Sequence, residues 1–272
     1  MKTVCVITGG GSGMGLAAAK CMPKEKIIIV TGRTLSKLEK AVQELKDLGY
    51  EAYAKTCDTS CRSDVIALAE YAASLGEIKN VIHSAGMSPA MAKAEQLMRV
   101  NALGTVYVNQ EFSKRMGRGS VIVDVSSNSA YMLPEFLASK KTFALAETDE
   151  ELFLKKSLKL SAMLKDPYKS SGLAYGLSKK FVIWYAAKCA FEYGEKGIRV
   201  VSLSPGLIAT DMGKLEAEEG GSLLKTTAEK RMGKPEELGY ALATLADERN
   251  GYLAGVDILC DGGSVNGKKF IG

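Results

Sequence analysis

The stretch Val4-Cys5-Val6-Ile7-Thr8-Gly9-Gly10-Gly11-Ser12-Gly13-Met14-Gly15-Leu16-Ala17-Ala18-Ala19 decides the fold of this chain. An apolar β-type run, Val4 to Ile7, leads into a glycine-rich turn, and a helical pattern opens at Leu16. Strand, glycine turn, helix is the setting in which such a turn holds a phosphate. Glycines let the backbone turn tightly and approach a pyrophosphate, while the helix N-terminus offers unpaired N–H groups and partial positive charge. Alone, the same turn would also serve as a plain connection.

Strand and helix signals alternate beyond it. Ile27-Ile28-Ile29-Val30 is continuously apolar, as in a strand covered on both faces. A helix follows with Leu38, Val42, Leu45 and Leu48 on one stripe. Ser36 and Glu39 have the spacing of a capping box, and Gly49 suits the helix end. Further strands are expected at Tyr53–Cys57, Val81–His83, Val121–Val125, Ile198–Leu203 and Val256–Cys260. A long helix is expected over much of Ala92 to Met116, and another carries Tyr175 and runs to about Tyr193. This alternation predicts an α/β fold: one doubly wound, parallel, seven-stranded sheet in a single domain, 1–272.

A chain of 272 residues can bury a substantial core. Its net charge of +5 is dispersed, with no long block of like charge, which argues against nucleic-acid binding. No run approaches the eighteen apolar residues of a membrane helix, and the apolar run at the start is too short for a signal peptide, so a cytoplasmic protein is expected. The six cysteines are scattered and read as reduced, mostly buried residues. The single histidine, His83, makes a zinc site of ordinary composition untenable, and no metal is expected.

The chemistry points to Tyr175 and Lys179. Helical spacing puts them on one face, and a lysine ammonium beside a phenol favours the phenolate, lowering the tyrosine pKa toward the range useful for proton transfer. Of eleven tyrosines, only Tyr175 has a lysine four residues on.

Together these features resemble the short-chain dehydrogenase/reductase family. Its Thr-Gly, three residues, Gly, one residue, Gly pattern is met at Thr8, Gly9, Gly13 and Gly15, and its Tyr, three residues, Lys at Tyr175 and Lys179. Its serine after an apolar strand is met by Ser126-Ser127, the second aligning better, and its Val-Asn by Val100-Asn101. Pro205-Gly206-Leu207-Ile208-Ala209-Thr210 and Asp261-Gly262-Gly263 also fit. The resemblance covers almost the whole chain in the right order. It implies a Rossmann-type fold and a nicotinamide-dependent oxidoreductase interconverting a ketone or aldehyde with an alcohol. The implied catalytic set is Asn101, Ser127, Tyr175 and Lys179. The implied cofactor contacts are Thr8, Gly9, Ser12, Gly13, Met14 and Gly15 in the turn, Ala85 and Gly86 after the fourth strand, Pro205, Gly206, Ile208 and Thr210 after the sixth, and Tyr175 and Lys179 themselves. Asp58 is either the family's adenine-contacting acid or a helix cap. His83-Ser84-Ala85-Gly86 stands where the family has Asn-Asn-Ala-Gly, which makes His83 a local structural residue, and Val201 replaces an Asn before the Pro-Gly turn. Non-catalytic dinucleotide sensing and epimerase or dehydratase chemistry on the same Tyr-Lys pair are the alternatives.

Two departures from the family plan stand out. The connection Gly86–Asn101 is short, and an insertion of about 133–172 precedes the Tyr175 helix, its apolar and charged residues predicting short amphipathic helices. Both departures occur in bacterial 3α-hydroxysteroid dehydrogenase/carbonyl reductases, which implies a hydroxysteroid or similar apolar carbonyl as substrate. The insertion and the loop from Thr210 to Lys234 are expected to line the pocket. No acid lies between Ile27 and Leu38 to bind ribose hydroxyls; Arg33 and Thr34 follow the second strand instead, so NADP(H) is expected over NAD(H). A homodimer through elements around Pro235 to Asp261 is expected, with the insertion obstructing the family's helix-pair interface and folded against the site entrance.

Overall fold

The computed structural model describes residues 2–213, 215 and 221–270. The strands are β1 Thr3–Thr8, β2 Ile27–Gly32, β3 Glu51–Thr56, β4 Glu77–His83, β5 Val121–Val125, β6 Arg199–Pro205 and β7 Asp257–Cys260. They form one sheet in the order β3-β2-β1-β4-β5-β6-β7, every pair parallel. The chain winds outward from β1 to β3, then returns to place β4 on the other side of β1. That reversal opens a crevice at the C-terminal ends of β1 and β4, where open α/β sheets bind their ligands.

The helices are α1 Gly13–Cys21, α2 Leu35–Asp47, α3 Arg62–Leu75, α4 Ala94–Leu97, α5 Gly104–Ser113, α6 Lys140–Ala144, α7 Glu150–Leu158, α8 Pro167–Tyr193 and α9 Pro235–Leu245. A π-helical turn, Met98–Leu103, joins α4 to α5, so the long helix expected over Ala92 to Met116 is a compound one. On one face of the sheet, Cys5, Ile7, Ile28 and Val30 pack with Ala18, Leu38, Leu45 and Leu242. On the other, Val4, Val6, Ile27 and Ile29 pack with Leu68, Phe112, Phe181 and Tyr185. Burial on both faces is why inner strands such as β1 and β2 read as nearly unbroken apolar runs, whereas the edge strands β3 and β7 are only partly buried.

Two local features differ from expectation. Thr34, with extended backbone, is the N-cap of α2, so Ser36 lies inside the helix and the Ser36/Glu39 capping box does not form. Gly49 does follow the helix end, with φ of 88°. Helix α3 goes unnamed in the sequence reading, although its buried stripe Val65, Leu68, Ala69 and Ala72 has helical period.

The insertion is part of the core. Phe143, Ala146, Phe153 and Leu154 are buried in the cluster formed by α5 and α8. Phe143 and Phe153 each lie with ring centroids 5.2 Å from Phe181, which stacks on Tyr185 at 5.3 Å. Burying each ring contributes about 2–3 kcal/mol. Carboxylates fasten the rim: Glu147 accepts from Tyr185 Oη (2.8 Å) and Lys188 Nζ (2.8 Å), and Glu150 from Tyr107 Oη (2.6 Å). The body of the insertion therefore rests on α5 and α8. Its opening residue, Leu133, reaches α8 at Gly176, where a Cβ would lie 2.9 Å from Leu133 Cδ1.

One polar rung crosses the sheet near its C-terminal rim. Thr31, Thr8, His83, Asp124 and Ser202 are neighbours in register on successive strands. Two residues earlier on the same face stand Ile29, Val6, Val81, Ile122 and Val200, all buried. His83 Nδ1 is 2.7 Å from Thr8 Oγ1, tying β4 to β1. Burial, aided by the Lys179 charge, pushes the imidazole down to about 3 from its ordinary 6.5. Below pH 6.5 the unfolded chain takes up a proton that the folded chain refuses. The resulting stability is present above 6.5 and is lost as pH falls toward about 3. His83→Asn should therefore lose less Tm than the parent between pH 6.5 and about 4; equal losses in a thermal melt series would contradict a neutral buried imidazole.

Candidate active site

A cleft of about 440 Å³ opens above the ends of β1, β2 and β4. Its floor is the glycine turn. Gly9 and Gly13 have φ of 68° and 55°, a left-handed backbone that favours glycine. A Cβ on Gly15 would lie 2.5 Å from Gly9 O and 2.6 Å from Ser84 Oγ, so α1 can start this close to the turn only without a side chain there. Leu16 N reaches back to Ser12 O at 3.2 Å, and the amides of Gly13, Met14 and Gly15 before it belong to the first helical turn, which has no intrahelical acceptors. These are donors suited to a phosphate.

Thr8, Gly9, Ser12, Gly13, Met14, Gly15, Arg33, Thr34, Asp58, Ala85, Gly86 and Thr210 all line this cleft. Thr8 Oγ1 is already engaged, accepting from Ala85 N at 3.1 Å, so its work is to join the ends of β1 and β4. Lys37, unnamed in the sequence reading, lines the cleft beside Arg33. Its signal was the four-residue step from Arg33 into the first turn of α2. Asp58 is not the cap of α3, because that position is Cys61. Its carboxylate folds a turn instead, accepting from Ser60 N (2.9 Å) and Ser60 Oγ (2.7 Å). Gly206 and Ile208 line a second hollow of about 330 Å³ with Asp261, rather than the main cleft. Pro205 ends β6, and a Cβ on Gly206 would sit 2.8 Å from Asp261 Cα. Of the Thr210–Lys234 loop expected at the pocket, residues 214 and 216–220 lie outside the described residues.

Opposite the cleft stands α8, capped by Asp166 Oδ1, which accepts from Tyr168 N (2.9 Å) and Lys169 N (3.3 Å). Lys179 Nζ lies 5.8 Å from the centre of the Tyr175 ring and donates to Val125 O at 3.0 Å. Ser126 Oγ donates to Lys179 O at 2.7 Å, so the rim of β5 and the middle of α8 are bolted together. That bond commits Ser126 to structure. Ser127, next along, is nearly buried, and its Oγ accepts from Ser129 N at 3.2 Å. Tyr175 packs against the small cluster of Met87, Leu97 and Val100.

Asn101 sits in the π-helical turn, fully enclosed. Its Oδ1 accepts from Met87 N (2.9 Å), and its Nδ2 donates to Met87 O (3.0 Å) and Ser178 Oγ (3.2 Å). Thr105 Oγ1 donates to its carbonyl at 2.8 Å. A Cβ on Gly86 would be 3.2 Å from Asn101 Oδ1 and 3.4 Å from Lys179 Nζ. The cleft edge at Gly86, the Asn101 amide and the Lys179 ammonium thus converge. Met87, Thr105 and Ser178, none of them expected from sequence, hold Asn101 in place; Thr105 is one helical turn on, but local spacing carries no sign of Met87 or Ser178. The residues present fit a dinucleotide: glycines at the floor, first-turn amides for a pyrophosphate, and two cations after β2. No described helix is long and apolar enough to cross a membrane.

Comparison with known proteins agrees with this geometry. A short chain dehydrogenase family model matches residues 3–142, and a model described as enoyl-(acyl carrier protein) reductase matches residues 158–265. The chain is 30% identical over 269 residues to the short-chain dehydrogenase/reductase bsc3 of Alternaria brassicicola, covering 97% of this chain and 96% of that protein. It is 24% identical to a 7alpha-hydroxysteroid dehydrogenase of Escherichia coli (strain K12), with 96% and 93% covered. The fold superposes on a short chain dehydrogenase of Burkholderia cenocepacia J2315 solved in complex with NADP, with a TM-score of 0.76, 20% identity and 96% of each chain covered. A glycine-floored cleft beside a Tyr-Lys pair, on a sheet that the two family models together span, identifies the chain as a member of the short-chain dehydrogenase/reductase family, oxidoreductases that act on CH–OH groups.

Proposed function

We propose that the chain is an NADP(H)-dependent oxidoreductase that interconverts an apolar ketone or aldehyde with its alcohol. The convergence of Gly86, Asn101 and Lys179 beside Tyr175 is the observation that carries this reading. The nicotinamide, when bound, supplies or accepts the hydride. In the reducing direction Tyr175 Oη gives a proton to the oxygen on which charge develops, and Ser127 Oγ hydrogen-bonds that same oxygen. Lys179 favours the phenolate by its charge and holds the ribose, and Asn101 orders the path by which Lys179 regains a proton from solvent. The sensor and epimerase readings have no observation in their favour; a sensor would bind cofactor without oxidising it, and an epimerase would consume none on balance.

A panel of ketones assayed with reduced nicotinamide tests the reaction. Tyr175→Phe keeps the ring and removes the proton donor, so turnover should fall about a hundredfold or more with cofactor affinity little changed. Near-normal turnover on the best substrate would remove Tyr175 from the site.

Arg33 and Lys37 support NADP(H), since both line the cleft just after β2 and no acid lies between Ile27 and Leu38. The NADP held by the Burkholderia cenocepacia protein is in keeping with this. Arg33→Asp should reverse or abolish the preference, a change on the order of a few kcal/mol from a lost charged hydrogen bond and new repulsion. An unchanged NADPH-to-NADH ratio of kcat/KM would exclude Arg33 from the choice. For the substrate, the apolar side chains of Met87 and Val100, which line the cleft and pack with Tyr175, favour a hydroxysteroid-like or other apolar carbonyl, the class named by the Escherichia coli relative. Six free thiols suit a reducing compartment such as the cytoplasm.

The assembly we infer is a homodimer through the C-terminal elements. The strand β7 ends the sheet with an open edge, and Tyr240, Tyr252 and Phe270 are strongly exposed in the C-terminal part of the chain. The insertion meanwhile covers α5 and α8, which would otherwise pair with a symmetry mate. Light scattering should give twice the chain mass; a tetramer would count against this arrangement.

A further inference from the structure

Asp124 has no part in the roles assigned above. It is fully buried on β5, one residue before Val125, whose carbonyl accepts the Lys179 ammonium at 3.0 Å. Among the described residues its carboxyl is hydrogen-bonded by one amide: Asn109 Nδ2 on α5 lies 3.0 and 2.9 Å from the two carboxyl oxygens. The same Nδ2 also donates to Thr105 O at 3.0 Å, which fixes the amide's orientation. His83, beside Asp124 in register on β4, keeps a buried Nε2 that finds no partner among the described residues. No cation is hydrogen-bonded to Asp124 among them; Lys179 acts on it through its field. A carboxyl enclosed in this way is costly to ionise and is an unusual choice where an amide or alkyl group would serve.

We propose that Asp124 is a positioning residue that exchanges a proton beneath Lys179, so that its charge state sets the field Lys179 exerts on Tyr175. This rests on the roles proposed above for Tyr175 and Lys179. Burial pushes the carboxyl up to about 7, against the pull of the Asn109 hydrogen bonds and the Lys179 charge, so it changes charge in the working range. The other groups facing it stay neutral there. Cys189 of α8 is pushed up to about 12 by burial, and His83 is held neutral. Among the described residues, α5 contributes the Asn109 amide alone, and the Ser202 hydroxyl of β6 is given to Asp257 at 2.5 Å. Below about pH 7 a neutral Asp124 leaves Lys179 its full pull toward the Tyr175 phenolate. Above it, the proton leaves to solvent, and the carboxylate offsets part of that pull, so Tyr175 holds its proton more tightly.

The test is Asp124→Asn, which keeps the shape and removes the charge. Ultraviolet difference titration of each chain against its Tyr175→Phe counterpart reads ionisation of that one phenol without any ketone, so it is decided separately from the turnover assay. The Asn variant should ionise Tyr175 at a pH lower by about half a unit or more. Infrared spectra of the intact chain should show one protonated carboxyl band persisting above pH 5 and vanishing through about pH 7, absent in the variant. An unmoved Tyr175 midpoint overturns the proposal. Should the variant fail to fold, the infrared titration of the intact chain decides: a persisting band supports the proposal, and a carboxyl already ionised at pH 5 overturns it.

Discussion

The bond from Lys179 Nζ to the Val125 carbonyl, doubled by Ser126 Oγ to the Lys179 carbonyl, is the constraint on which the site depends. It joins the rim of β5 to the middle of a 27-residue helix and so places Tyr175, one turn earlier, over the end of the sheet. Every other positioned group refers to that junction. Asn101 reaches α8 through Ser178, and Gly86 gives way to both Asn101 and Lys179. The chemistry is thus set by a helix lying against the sheet on its polar rung, where side chains can be both buried and hydrogen-bonded.

How much of this was legible follows from how local each signal is. The strands were readable because both faces of the sheet are covered, leaving runs such as Ile27 to Val30 with no polar interruption. The glycine turn and the Tyr175-Lys179 pair were readable because their geometry is fixed within a few residues. The capping box at Ser36 was not, because the helix starts earlier than that box requires: Thr34 is the N-cap, and Ser36 already lies in the first turn. Nor could spacing disclose that Met87 would hold Asn101, since the two are brought together by the short connection and the π-helical turn rather than by helix period. The amphipathic character of the insertion was visible; its destination on α5 and α8 was not, because the partners Phe181 and Tyr185 lie across the fold.

The two cations at the cleft illustrate the same limit. Arg33 was visible as the residue after the strand, at the place where an acid would bind ribose hydroxyls. Lys37 joins it in lining the cleft because it falls in the first turn of α2, which starts two residues after Arg33.

The aromatic contacts of the insertion bear on how this chain can change over evolutionary time. A surface loop can be trimmed a residue at a time at little cost. This segment cannot, because Phe143 and Phe153 are buried against the helix that carries Tyr175, and each ring removed leaves a cavity against Phe181. Shortening it gradually would pass through chains less stable than either the long or the short form. The segment's length is therefore a discrete character of the lineage, gained or lost whole, and a variant that loses it must also repaint the exposed face of α8 with polar side chains.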